Sequence, residues 1–275
     1  MNSDFSKMLS QLQTITNNSF SKEFYIKSLQ KKINLRELNV EQQKNILNFT
    51  LNSAQENEEK GRDNNFIELN YNIIKDNIVG GLSEAELSKL TVWDRLFLSL
   101  AIRSLSNPKL VISYSEESKK ERSSIEFQLQ DIIDTYNESF SSIIPNPTLY
   151  SKSETGTTFT INLKLPTIVE EIEIEKATSS LNANDRVGDL FVYELAKYIE
   201  CISVNDLIVK FDSLNLDQKI TLIKNLPTHV ANPAINEIND IKANLFKPLS
   251  LVWKDSNNQD VYFEISINSE WFLNY

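Results

Sequence analysis

Apolar positions along this chain recur at two spacings. Offsets of three and four mark helices, and offsets of two mark short strands. From Ser3 onward, Phe5, Met8, Leu9, Leu12 and Ile15 fall at helical offsets, predicting a short amphipathic helix that Ser3 is placed to cap. Phe24 to Leu38 alternates as a two-stranded unit. Asn39 then caps a helix carrying Val40, Leu47 and Leu51, with Gln42 three residues on, before a polar loop from Asn52 to Asn65. Phe66, Leu69, Ile73, Ile74 and Ile78 form another helical stripe, closed by Gly80 and Gly81.

After a further helical turn between Ser83 and Leu90, the residues Leu90, Trp93, Leu96, Phe97, Leu100 and Ala101 make the strongest buried face in the first half. Asp94, Arg95 and Arg103 read as lying off it, and Asn107-Pro108 stops the helix. Ile125, Phe127 and Leu129 predict a strand. Thr157–Leu165 and Ile168–Ile174 alternate on either side of Leu165-Pro166-Thr167 and predict a mid-chain strand pair. Helices follow at Val187–Ile199, capped by Asp185, at Asn215–Leu226, and from Asn232-Pro233 to Leu245. Leu249–Trp253 and Val261–Ile265 predict a closing hairpin across Asp255–Asp260. The fold class expected is α+β: mostly helical, with small antiparallel β units that include the mid-chain pair and the C-terminal hairpin. Residues 1–20 read as a helical extension, 21–145 as an N-terminal α+β region, and 146–275 as a C-terminal region.

Composition narrows the function. Thirty-eight acidic against twenty-eight basic residues give a net charge of -10, which repels phosphate backbones and anionic lipid, so neither nucleic acid nor a membrane is an expected partner. The one dense basic cluster, Lys119, Lys120 and Arg122, is interleaved with Glu116, Glu117 and Glu121 and reads as a solvated loop. Cys201 is the only cysteine, so no intrachain disulfide is available. Apolar runs such as Leu96–Ile102 fall well short of the roughly 20 residues that span a bilayer, and the first residues lack the pattern of a secretion signal.

Reactive chemistry is sparsely furnished. His229 is the sole histidine and lies in a Pro-Thr-His-Val turn; Cys201 follows a helical stripe and reads as a small buried residue. Five glycines leave no glycine-rich loop for phosphate. On a strand, Glu171, Glu173 and Glu175 share a face opposite Ile172 and Ile174, a solvated edge or one awaiting a basic partner. No catalytic residue, cofactor site or metal site is expected, and an enzyme of unrecognised class is the remaining alternative.

Several segments in order carry a resemblance. Ser28–Leu38 (SLQKKINLREL) leads into a helix, and Leu90–Ser106 (LTVWDRLFLSLAIRSLS) is a helix with an early acid and an arginine-serine end. The Leu165-Pro166-Thr167 unit follows, and then helix, helix, hairpin and the terminal aromatic pair Trp271-Phe272. Together they resemble the baseplate hub and tail-assembly chaperone family of T-even-type myoviruses, from about Phe24 to the end of the chain. The resemblance implies a non-enzymatic role by protein–protein contact, as a hub component or as a transient chaperone of the tape-measure protein. The expected partners are other tail or baseplate proteins in an oligomeric assembly, in the host cytoplasm during assembly and then in the virion tail baseplate. Relatives often place Cys-x-x-Cys in the closing hairpin; Trp253–Asp260 holds no thiolate here, so zinc is not expected. The residues expected to meet a partner are Phe5, Met8, Leu9 and Leu12 on the first helix, with Trp271 and Phe272 at the other end.

Overall fold

The structure is a computed structural model that describes residues 6–8, 10–11, 21–55, 65–115, 122–144, 147–154, 156–179, 186–254 and 259–265. It is α+β. The described residues divide into two compact units: one takes those up to Leu90 together with Asp94–Asn137, the other takes Thr91–Trp93 and those from Glu138 on.

In the first unit, β1 (Ser21–Ile26) and β2 (Lys31–Arg36) pair antiparallel as their alternation predicts, through a turn that ends on Gln30 in a left-handed conformation (φ 51°). Phe24, Ile26, Ile33 and Leu35 are buried, while the residues between them stay in solvent or at its edge. A capping box opens α1 (Val40–Gln55): the Gln42 N–H donates to Asn39 Oδ1 at 2.8 Å, and Gln42 Oε1 accepts the Asn39 N–H at 3.0 Å. Helix α2 (Asn65–Asn77) buries Ile73 and Ile74. Beyond it, Ile78–Gly80 forms β3, a third strand on β2 where only a helix end was expected. Gly81 turns away at φ +101°, and a Cβ there would lie 3.1 Å from the Lys32 carbonyl oxygen, so glycine is required.

The short α3 (Glu84–Leu87) precedes α4 (Val92–Ser106), and here the sequence reading needs correction. Asp94, Arg95 and Arg103 are not off the buried face; all three are buried, because α4 is enclosed on every side from Val92 to Arg103. Two of the enclosed polar side chains, Asp94 and Ser99, have hydrogen-bond partners that offset their burial. Ser28 Oγ donates to both carboxylate oxygens of Asp94, at 2.8 and 2.7 Å, and Ser99 Oγ donates to the Arg95 carbonyl and to Asn70 Oδ1. Phe24 meets Phe97 edge-on at 6.4 Å. The hairpin β4 (Lys109–Ser115) and β5 (Arg122–Gln128) then leads into α5 (Leu129–Glu138), which buries Leu129, Ile132, Ile133 and Tyr136.

In the second unit, β6 (Thr148–Lys152), β7 (Thr158–Leu163), β8 (Ile199–Val204) and β9 (Leu207–Lys210) form an antiparallel sheet in that order. The mid-chain sheet is present, but the partners of β7 are β6 and β8. Ile168–Ser179 is helix α6, not a strand. Thr167 and Glu170 make the reason visible. Glu170 N–H donates to Thr167 Oγ1 at 3.1 Å and Glu170 Oε2 accepts the Thr167 N–H at 2.9 Å, a capping box that starts a helix whatever alternation follows.

Helix α7 (Arg186–Tyr198) buries Leu195 and Tyr198 but leaves Leu190 and Phe191 exposed, and Ile199 already belongs to β8. The capping role of Asp185 lies outside the described residues. Asn215 and Gln218 form the predicted capping box of α8 (Leu216–Lys224). Helix α9 begins at Thr228 and runs to Leu245, four residues earlier than the Asn232-Pro233 start predicted. The Pro227 carbonyl accepts the first bonds, from Val230 and Ala231, and Pro233 sits inside the helix. Val230, Ala234, Ile238, Ile241 and Leu245 make its buried stripe. The closing hairpin pairs β10 (Leu249–Lys254) with β11 (Asp260–Ile265) as expected.

Candidate interaction surfaces

Charge in this protein is gathered into matched clusters. The clearest lies at the start of α6, where Lys164 Nζ reaches Glu170 Oε1 at 2.8 Å and Asp212 Oδ1 at 2.9 Å, and Lys219 Nζ stands 3.7 Å from Glu170. Desolvation pushes the Lys164 ammonium down, but the hydrogen bonds and charges of Glu170 and Asp212 outweigh it and leave its pKa raised. Asp212 is held below the usual carboxylate range, first by the Lys164 hydrogen bond. A second cluster ties α7 to α9: Glu194 faces Lys197 at 2.8 Å and Lys242 at 3.1 Å. Burial alone pushes the Glu194 pKa up; the two lysines overcome it and leave the pKa lowered.

The two side chains with most intrinsic reactivity stand apart from these clusters. His229 is exposed in the first turn of α9, where its ring meets Phe159 edge-on at 6.1 Å. Cys201 is buried on β8, in a strand where the sequence reading had only a helix's end. Among the described residues no three His, Cys, Asp or Glu side chains are grouped to hold a metal ion, and no helix is long and apolar enough to cross a membrane.

Large apolar side chains, in contrast, face solvent from the small sheets. Tyr150 on β6 is 76% exposed and Ile208 on β9 is 61% exposed; on the closing hairpin the cross-strand neighbours Val252 and Tyr262 are 52% and 68% exposed. Val111 on β4 is exposed as well. A half-buried strand normally turns its polar side chains outward, so these positions depart from the alternation that places the rest. Of the residues the sequence nominated for a partner, Met8 is exposed in a stretch whose described residues are helical. Phe5, Leu9, Leu12, Trp271 and Phe272 lie outside the described residues, as do Lys119 and Lys120 of the mixed-charge loop. Sequence reasoning missed the sheet positions because β6, β8 and β9 were not read as strands. The Asn205-Asp206 pair between Val204 and Leu207 was the available signal: Asn205 takes φ 52° in a two-residue hairpin turn.

Matched charge within and apolar side chains outward on small sheets is the arrangement of an α+β protein that presents surfaces to other molecules. The T4 bacteriophage base plate protein family matches residues 18–246, and the chain belongs to that family. It is a phage baseplate structural protein, and such a protein meets other phage tail or baseplate proteins. No curated protein and no solved structure matches the chain. The matched span runs from before β1 to just past α9 and leaves the closing hairpin outside it.

Proposed function

We propose that this protein is a stably incorporated subunit of the baseplate hub of a contractile phage tail, made in the host cytoplasm and working by protein–protein contact without catalysis. The observation that carries the reading is the family match over residues 18–246, which spans elements of both units. Two features of the molecule support it. The buried and half-buried charges already face one another, as at Glu170 and Glu194, and the exposed apolar side chains sit on strands where a neighbour's surface can cover them.

Mass spectrometry of purified virions is the test. A hub subunit is recovered at a fixed stoichiometry with the other baseplate proteins. Recovery only from infected cells, bound to the tape-measure protein and absent from finished particles, replaces this reading with that of a transient chaperone. On the non-catalytic side, His229→Ala and Cys201→Ala phages give wild-type yields; a yield reduced at least tenfold for a variant that folds normally overturns that part.

A further inference from the structure

Among the described residues each of the four antiparallel sheets carries at least one lysine on its strands, and three of the four answer one with a carboxylate across the sheet. Lys32 meets Glu23 at 2.6 Å on β1–β2, Lys109 meets Glu126 at 2.6 Å on β4–β5, and Lys254 meets Asp260 at 3.4 Å on the closing hairpin. The β6–β9 sheet does not. Its inner face carries Ile161 and Ile202, both buried. On its other face Tyr150, Thr160, Ser203 and Ile208 form one row across all four strands, with Lys152 in the row on one side and Lys210 in the row on the other. No paired residue on that face is acidic, in a chain whose net charge is -10.

Among the described residues neither lysine forms an ion pair. Asp212 is close enough to feel Lys210, but its hydrogen bond goes to Lys164. Tyr150 and Ile208 are the most exposed apolar side chains on the face, and both lysines beside them are exposed. A face with apolar ends, hydroxyls between them and, at its margins, two lysines held in no ion pair is complementary to one kind of surface: apolar at the centre and acidic at the rim. The closing hairpin also exposes a tyrosine and a valine, but the Lys254–Asp260 pair beside them leaves no such demand for acid.

We propose that this face of the β6–β9 sheet is a docking surface for an acidic neighbouring subunit, whose apolar centre covers Tyr150 and Ile208 while its carboxylates meet Lys152 and Lys210. The proposal rests on the reading of the chain as a baseplate protein. It does not depend on whether the chain stays in the virion.

Zero-length carbodiimide coupling joins an ammonium only to a carboxylate in contact with it. It is applied to purified virions and, in parallel, to assembly intermediates from infected cells, using the full-length chain. Coupling of Lys152 or Lys210 to another phage protein is the expected result. Lys152→Glu/Lys210→Glu should lower incorporation at least tenfold, Tyr150→Ser/Ile208→Ser should do the same, and Lys152→Arg/Lys210→Arg should restore it; circular dichroism and thermal unfolding confirm that each variant folds. Normal incorporation of the charge-reversed protein overturns the proposal, as does coupling of these lysines only to a second copy of this chain. Absence from virions, with coupling found in the intermediates, removes the stable-subunit reading and leaves the docking face supported.

Discussion

Glu170 holds four groups with two oxygens. Oε2 accepts the Thr167 N–H and hydroxyl, while Oε1 faces the ammonium groups of Lys164 and Lys219. The three ionic side chains are only 13%, 20% and 10% exposed, so removing the carboxylate charge takes the paired acid from a poorly solvated Lys219 and leaves Lys164 with Asp212 alone. Glu170→Gln should therefore destabilise the protein by about 2–3 kcal/mol in urea unfolding at neutral pH, whereas Asp260→Asn, on a solvated pair, should change it by less than about 0.5 kcal/mol. Equal effects would mean that enclosure contributes nothing to the cluster. Acid sensitivity is set at the same scale. Glu86 is held at about 2, first by the Lys31 hydrogen bond and then by the N–H and hydroxyl of Ser83, and Asp212 is also depressed. Below the ordinary carboxylate range the unfolded chain binds protons that these folded groups refuse, so their contribution is present above that range and lost as pH falls through it, for Glu86 toward about 2. Glu86→Gln and Asp212→Asn should each flatten the decline of melting temperature between about pH 5 and pH 2; an unchanged slope in both removes the linkage.

At the scale of elements, what the sequence disclosed depended on whether local chemistry and long-range contact agreed. β1–β2, the capping boxes of α1 and α8, the apolar face of α4 and the closing hairpin were legible because pattern, cap and burial pointed the same way. The Ile-Glu alternation of α6 imitates a strand, and only the Thr167–Glu170 box says otherwise. The inward course of Asp94 is met by Ser28 and that of Ser99 by Asn70, both far away in sequence, so no window along α4 could disclose it. The docking face was hidden for the same reason: it exists only once β6 to β9 are in register. Two substitutions test the helix ends. Asn215→Ala should cost about 1 kcal/mol by losing the α8 cap. Pro233→Ala should stabilise by about 1–2 kcal/mol in thermal unfolding, since it restores an N–H to the interior of α9 and gives back part of the gain through a freer unfolded chain. A destabilised Pro233→Ala protein would show that the proline ring, rather than the missing bond, is what α9 needs there.

For the whole molecule, a net charge of -10 combined with a sheet face whose two lysines form no ion pair among the described residues separates two kinds of polyanion. A nucleic-acid duplex presents a continuous line of phosphates, and binding it requires many cations along one track to release counter-ions. Lys152 and Lys210 are two charges at the margins of a sheet face on a chain that otherwise repels phosphate; two such charges suit a few carboxylates fixed on a folded neighbour. The full-length protein should therefore leave the fluorescence anisotropy of a labelled duplex of about 20 base pairs unchanged, even near 50 mM salt, where the electrostatic advantage is greatest. Binding that weakens with salt at a log–log slope of several units would reveal a basic track, and with it a role against the packaged genome that carboxylate docking does not provide. The slope counts the phosphates neutralised, at about 0.9 per contact, so even a positive result would report whether two lysines suffice or a longer line of cations is engaged.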